Sequence, residues 1–577
     1  MPQTIDFSVK KQMFQYQKPG SDLFPPHLAH IPTKQNVPLY DIFNLAALAD
    51  STVLIDNLIP YKWLDWSVHD LKSKVTDALK DPGSTFRALD ADSFDNPNIG
   101  DRPDWFTDAV FSQQQFVGPN PTTITLATPR WISQFTQEAE KQGRNDVLQL
   151  ITSSDITALY VQDYSYFRSA AGATPDGPLQ SDDGKRIGCA SVALFHLSNQ
   201  GALHPVAIVL DYKGRMDASV TIFNRRTDPT DSTVNEQLDW PWRFAKLCAQ
   251  SSDWARHEIT IHLVNAHLVE EVVIVAAQRM LPSQHVVFRL LESHWLKTLS
   301  INAAARKVLV PQVIANIAGF SNKQLYAFMN DAYKSFNWTA LYIPTDLNNR
   351  GFPVKDLDQP KYHNYPYARN IALMWNTLRK FVATVLQGTY RNDAQVAGDK
   401  DIAAFCAEMR SPTGGQMTSF PQVNKLDDLI DMVTMCIHIA SPQHTAVNYL
   451  QEYYQAVVPN KPSSLSAALP QTLNQLQKYT IDNMLDALPI QYLDTWLLMT
   501  YLPHLLSVPV AEDQNLLTFA ALAAENGGDD IAKAASVLHA DLLDLATKFQ
   551  QHSDDMDDQT KPYMVMDPTA TATSILL

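Results

Sequence analysis

From about Pro241 to the end, the chain carries its apolar residues in a helical rhythm. They recur at three- and four-residue spacing through 242–280, 293–310, 321–334, 367–389, 425–456, 471–502 and 513–549, which places them on one face of each helix. Arg350-Gly351-Phe352-Pro353 reads as a turn between two such segments. A further helical stretch is predicted over Lys62–Lys80. Between about 155 and 224 the rhythm changes. Ala158–Phe167, Cys189–Ser198, His204–Lys213 and Ser219–Asn224 are short runs rich in β-branched and aromatic residues, bounded by turn formers, and they predict a small inserted β-sheet. Residues 1–50 are proline-rich and weakly periodic, as expected of a segment that wraps a surface. No repeat of fixed period is present. The predicted class is mainly α: one large helical domain over 101–577 with a β-rich insertion, preceded by a wrapping segment over 1–100.

Composition narrows the function without naming it. The 577 residues are 45% hydrophobic and 10% aromatic, with 45 Lys+Arg against 61 Asp+Glu and a formal net charge of −16. Such a chain buries a large core. It lacks the basic balance that an extended nucleic-acid footprint requires, so nucleic acid is not an expected partner; a small anionic substrate needs only one buried Lys or Arg. The four cysteines, Cys189, Cys248, Cys406 and Cys436, are far apart and form no C-x-x-C pair, which predicts free thiols in a reducing compartment. The first twenty residues contain no apolar run of the signal-peptide kind. The most membrane-like stretch, Leu493–Val510, is interrupted by Asp494, Pro503, His504 and Pro509. The expectation is a cytoplasmic protein without a transmembrane segment, able to touch a membrane transiently while taking up substrate.

The candidate chemistry is concentrated in two histidine clusters. The first is His257-Glu258-Ile259-Thr260-Ile261-His262-Leu263-Val264-Asn265-Ala266-His267, followed by Glu270 and Glu271. It is not the H-E-x-x-H of a zinc protease, because its histidines are five apart. On an α-helix a four-residue step leaves side chains roughly 40° apart, and a five-residue step roughly 140°. Histidines at i and i+5 meet one ion only where the helix widens into a π-type turn. The second cluster contains His438, His444, Asn448 and Gln451. His444 and Asn448 share a face on an ordinary helix. Three imidazoles with one weak oxygen donor suit a redox-active iron or manganese better than structural zinc. Spacing alone leaves metal binding and plain core packing both open.

At this point the sequence resembles the lipoxygenases, through a series of motifs in that family's order. Asp108-x-x-Phe111-x-x-Gln114-x-x-x-Gly118-x-Asn120-Pro121 is similar to the early signature. It is followed by Trp242-Arg243-Phe244-Ala245-Lys246, Asp253 and the histidine segment, then by His285…His294 and Ile301-Asn302-Ala303-Ala304-Ala305-Arg306. Asp346…Arg350-Gly351, Tyr365-Pro366-Tyr367-Ala368 with Trp375, and His444…Asn448 complete the series. Val286 stands where the family usually has Pro, Glu258 where Gln is frequent, Val264 where Leu, Met or Ala is usual, and Leu577 where most members end in Ile.

The resemblance implies a helical catalytic domain without the N-terminal β-barrel lipid-binding module that many members carry. It implies one non-haem iron per chain, with manganese as the alternative. The ligands would be His262, His267, His444, Asn448 and the α-carboxylate of Leu577. Glu258 and Gln451 would orient and tune them, and His257 would be structural. The reaction would be dioxygenation of a polyunsaturated fatty acid of the linoleate type by metal-centred hydrogen abstraction and addition of O2. Ile301, Ala305 and Leu309 would line the channel, and Ala305 stands where Ala accompanies S-hydroperoxides. Lys461 is a candidate for the substrate carboxylate. A hydroperoxide isomerase or epoxyalcohol synthase of the same fold, and a metal-free lipid-binding relative, are the competing expectations.

Overall fold

A computed structural model describes residues 7–33, 67–81 and 96–577. Most of the expected wrapping segment and the predicted helix start at Lys62 lie outside these residues; the helix is seen over Val68–Lys80. The fold is mainly helical with one small sheet, as the apolar rhythm predicts. Its axis is a continuous helix over Trp240–Met280, 41 residues long, about 60 Å at 1.5 Å per residue. Nothing between Trp242 and Met280 is Gly or Pro. Pro241 occupies the first turn and the Asp239 side chain accepts from Trp242 N–H, a start suited to proline and an acidic cap.

This helix is long enough to cross a membrane and has one window apolar enough to do so, yet that window is wholly buried in the protein. It is the core helix, packed by other elements, and most of its polar residues are buried with it. The sequence-based search for membrane-like segments picks out Leu493–Val510 instead; there the structure has a buried helix over Leu493–Leu506.

Several expected helices are divided, two of them at clear local signals. The 471–502 segment becomes Leu473–Leu476, Ile481–Ala487 and Leu493–Leu506, because Thr480 starts a new helix with a capping box and Pro489 follows the second. The 513–549 segment parts at Gly527-Gly528 into Leu516–Asn526 and Asp529–Asp554.

The sheet is antiparallel, in the order β1 (Thr125–Leu126), β2 (Leu159–Asp163), β3 (Val192–Leu197), β4 (Leu203–Val209) and β5 (Thr221–Phe223). Both faces are covered, which is why its strands read as nearly unbroken apolar runs. One face joins the main core through Tyr160, Phe195 and Ile208. The other packs Val161, Leu194 and Val209 against Trp131, Phe135 and Ile151 from helices Pro129–Lys141 and Asn145–Ser153. The sheet also anchors the central helix. Asp253, one turn before His257, accepts from Tyr164 Oη at 2.6 Å and from Asn120 Nδ2 at 2.6 Å.

Candidate metal centre

Among the described residues three π-helical segments occur, and all of them serve one site. Arg256–Leu268 carries His262 and His267. Ala305–Ile314 lies in the helix that runs through Thr298–Ala304. Ile439–Gln443 immediately precedes His444. The last two contain Pro311 and Pro442, which lack the N–H that a regular helix interior uses. In the first segment the widened turn brings together histidines that a regular helix would hold roughly 140° apart. His262 Nε2 lies 3.2 Å from His267 Nε2, and His267 Nε2 lies 3.2 Å from His444 Nε2. All three rings are buried.

The hydrogen bonds on the far sides of the rings decide what those nitrogens present. His267 Nδ1–H donates to Asn302 Oδ1 at 2.9 Å. Asn302 in turn donates through Nδ2 to His267 O at 2.7 Å and Glu271 Oε2 at 3.0 Å, and Glu271 is clamped by Arg306 at 2.5 and 3.0 Å. His262 Nδ1 faces Glu258 Oε2 at 3.4 Å. With the protons on Nδ1, the Nε2 lone pairs point at one another. Burial drives His267 down to about 3, helped by neighbouring His262, and pushes His444 well below the usual imidazole range. Burial alone would raise Glu258, but His262, His257 and His267 outweigh it and hold the carboxyl below its ordinary value.

Neutral imidazoles with converging lone pairs and a nearby carboxylate repel in the absence of a cation and suit one when it binds. The donor set passes the test for a metal: three nitrogens lie within reach of one point, and acceptors on Nδ1 fix the tautomers of His262 and His267.

The remaining expected residues fall as follows. Asn448 is buried one turn after His444; its Oδ1 accepts from Gln451 Nε2 at 2.8 Å, and a carbonyl oxygen retains a second lone pair. His257 is held away from the cluster. Its Nε2–H donates to Val447 O at 2.7 Å and its Nδ1 accepts from Gln455 Nε2 at 2.9 Å, so it ties the central helix to the His444 segment. Burial lowers it to about 4. His438 packs against Trp375 and is not among the three converging histidines.

Ile301, Ala305 and Leu309 share one narrow cleft with Glu258, His262 and His267, and Leu577 lines the same cleft. The approach to Leu577 is buried and tied down: Ala572 N–H donates to Thr445 Oγ1 at 3.0 Å, and His294 Nδ1–H donates to Thr573 O at 2.6 Å. Leu263, Ile314 and Leu506 complete the walls; their apolar character alone did not distinguish them from core residues. Asn302 and Gln455 were likewise missed as partners of histidines, although Asn302 lies inside a quoted motif.

Lys461 requires a correction. It does not line the cleft and so does not meet a substrate carboxylate there. Its side chain is fully buried in an ion pair with Asp253, so its charge is already committed. Lys461→Met should leave the Asp253 carboxylate buried without a cation and destabilise the protein by about 3–5 kcal/mol. Thermal unfolding would show this, and Asp253→Asn in the same chain should restore part of the loss.

Known proteins similar to this chain fall into one family. A family model described as lipoxygenase matches residues 181–561. The chain is 50% identical over 589 residues to a manganese lipoxygenase of Pleurotus sapidus, covering 100% of this chain and 91% of that one. It is 28% identical over 407 residues to the chloroplastic lipoxygenase 4 of Arabidopsis thaliana, covering 65% of this chain and 42% of the plant protein. The crystal structure of a fungal lipoxygenase from Fusarium graminearum superimposes with a TM-score of 0.89 at 38% identity, covering 99% of this chain and 98% of that one.

Proposed function

We propose that this chain, which belongs to the lipoxygenase family, converts polyunsaturated fatty acids of the linoleate type to S-hydroperoxides. The observation that carries the reading is the set of three converging Nε2 atoms beside an apolar cleft. His262, His267 and His444 would hold one iron or manganese ion, with the amide oxygen of Asn448 and the α-carboxylate of Leu577 as oxygen donors. When bound, the metal supplies the one-electron chemistry that removes hydrogen from a doubly allylic carbon.

The side chains supply everything else. Glu258, Asn302 and Gln451 orient the ligand atoms, and His257 holds two ligand-bearing segments together. Ile301, Leu309, Leu263 and Leu506 offer the acyl chain an apolar wall and keep water from the pentadienyl radical. The methyl group of Ala305 lies on that wall and would cover one end of the radical, directing O2 to the other.

Two measurements test the proposal. Elemental analysis should find about one metal per chain; the donor set accepts iron or manganese, and the name of the Pleurotus sapidus relative makes manganese the first to look for. Chiral chromatography of the linoleate product should give mainly the S-hydroperoxide. Ala305→Gly should raise the R share, since one methyl in an apolar site is worth about 1–3 kcal/mol. An unchanged S:R ratio in that variant would contradict the role given to Ala305.

A further inference from the structure

Arg243 is a buried cation to which no carboxylate among the described residues bonds. Only 3% of it is exposed. Its guanidinium lies 4.5 Å from the ring centres of Phe106 and Trp240 and 5.6 Å from that of Trp105. Nη1 donates to Gln237 O at 2.8 Å and to Leu79 O at 3.4 Å, whereas Nη2 has no hydrogen-bond partner among the described residues.

The neighbouring charges pair among themselves. Lys246 pairs with Asp108 at 3.0 Å, Arg226 with Glu236, and Arg225 with Asp239 at 2.9 Å. No carboxylate among the described residues bonds to Arg243, and burial pulls its guanidinium down to about 9. Aromatic faces recover about 0.5–2 kcal/mol each from a cation. Desolvating an ion costs several, and the rings leave the Nη2 donors unused.

Arg243 also lines a small pocket, with Trp105, Phe106, Phe111, Leu247 and Met484 as its apolar walls and Gln114, Lys246, Gln250 and Asn460 as its polar ones. This pocket shares no residue with the cleft beside the histidines. Arg243 precedes His262 by 19 positions on the central helix, roughly 28 Å at the helical rise.

We infer that the Arg243 pocket is a second ligand site, built for the carboxylate of a small amphiphile whose apolar body lies against Trp105, Phe111 and Met484. One uncompensated cation calls for a monoanion. The flat guanidinium fork matches a carboxylate, and the rings and side chains on the apolar side of the pocket favour a ligand with an apolar part over a bare ion. The site is independent of the metal reading, because a saturated carboxylate has no pentadiene to oxidise.

Hexanoate is the probe, titrated by calorimetry into the full-length protein, with acetate, chloride and 1-hexanol as controls. Hexanoate should bind saturably and raise the unfolding temperature. Acetate and chloride should bind more weakly, and hexanol should give no saturable heat. Arg243→Met should weaken hexanoate about tenfold or more, the loss expected for a charge-assisted hydrogen bond. Should that variant fail to fold, Arg243→Lys carries the test, since it keeps the charge, loses the fork and should also weaken hexanoate. Equal binding of hexanol, a response to chloride matching that to hexanoate, or an unchanged hexanoate affinity in the folded Arg243 variant would each overturn the inference.

Discussion

Replacing His262 by Ala is expected to leave a folded protein that no longer retains its metal and whose turnover falls by more than about a hundredfold, the upper end of the loss seen for groups that merely support a metal ligand. His262 contributes one of three converging Nε2 atoms, and its Nδ1 is the contact through which Glu258 acts on the site. The substitution removes a buried polar ring from a cluster of like rings, so folding should survive it. Elemental analysis and circular dichroism on the same sample would check both parts. Asn302→Ala is the companion experiment. It leaves every proposed ligand in place but frees His267 Nδ1, so metal affinity should fall by about 10–100-fold.

The second large effect is expected at the other end of the chain. A short peptide added after Leu577 turns the terminal carboxylate into an amide, which is neutral and a weaker donor. The added residues would also have to pass through the cleft that Leu577 lines. The tail cannot readily step aside. Ser574 Oγ accepts from Leu296 N–H at 3.1 Å, Thr573 N–H donates to Gln514 O at 2.9 Å, and Ser441 Oγ donates to Ala572 O at 2.5 Å. The extended protein should lose metal and activity, while the same peptide added before Met1 should change neither. Full activity in the extended protein would remove Leu577 from the proposed ligand set.

Parts of this molecule were legible in the sequence for identifiable reasons. The five-residue step from His262 to His267 is incompatible with a shared site on a regular helix, so a site holding both required a π turn, and a π segment is seen at Arg256–Leu268. The apolar rhythm outlined the central helix because nothing between Trp242 and Met280 interrupts it. Ile301, Ala305 and Leu309 were singled out as channel residues through their spacing of four and a family motif, and the three share one cleft.

What was not legible depended on partners distant in sequence. Lys461 offered itself as a free cation for a substrate carboxylate because its counter-ion, Asp253, lies 208 residues away. The role of Asn302 toward His267 needs two helices to meet. Arg243 sat in a recognised motif, yet only the structure reveals that its neighbouring charges are already paired with one another. The divided helices near residues 488 and 527 were marked by Pro489 and Gly527-Gly528, whose local effect the longer apolar rhythm had hidden.

The central claim is that the three histidines hold a metal that carries oxygen chemistry on a pentadiene. It is tested most directly by following conjugated-diene absorbance as purified, metal-analysed protein meets linoleic acid, first under air and then without oxygen. The account predicts sustained diene formation with matching O2 uptake under air, and none of either with His262→Ala. Metal-loaded wild-type protein that forms no diene under air, or diene formation that survives the loss of His262, would contradict it.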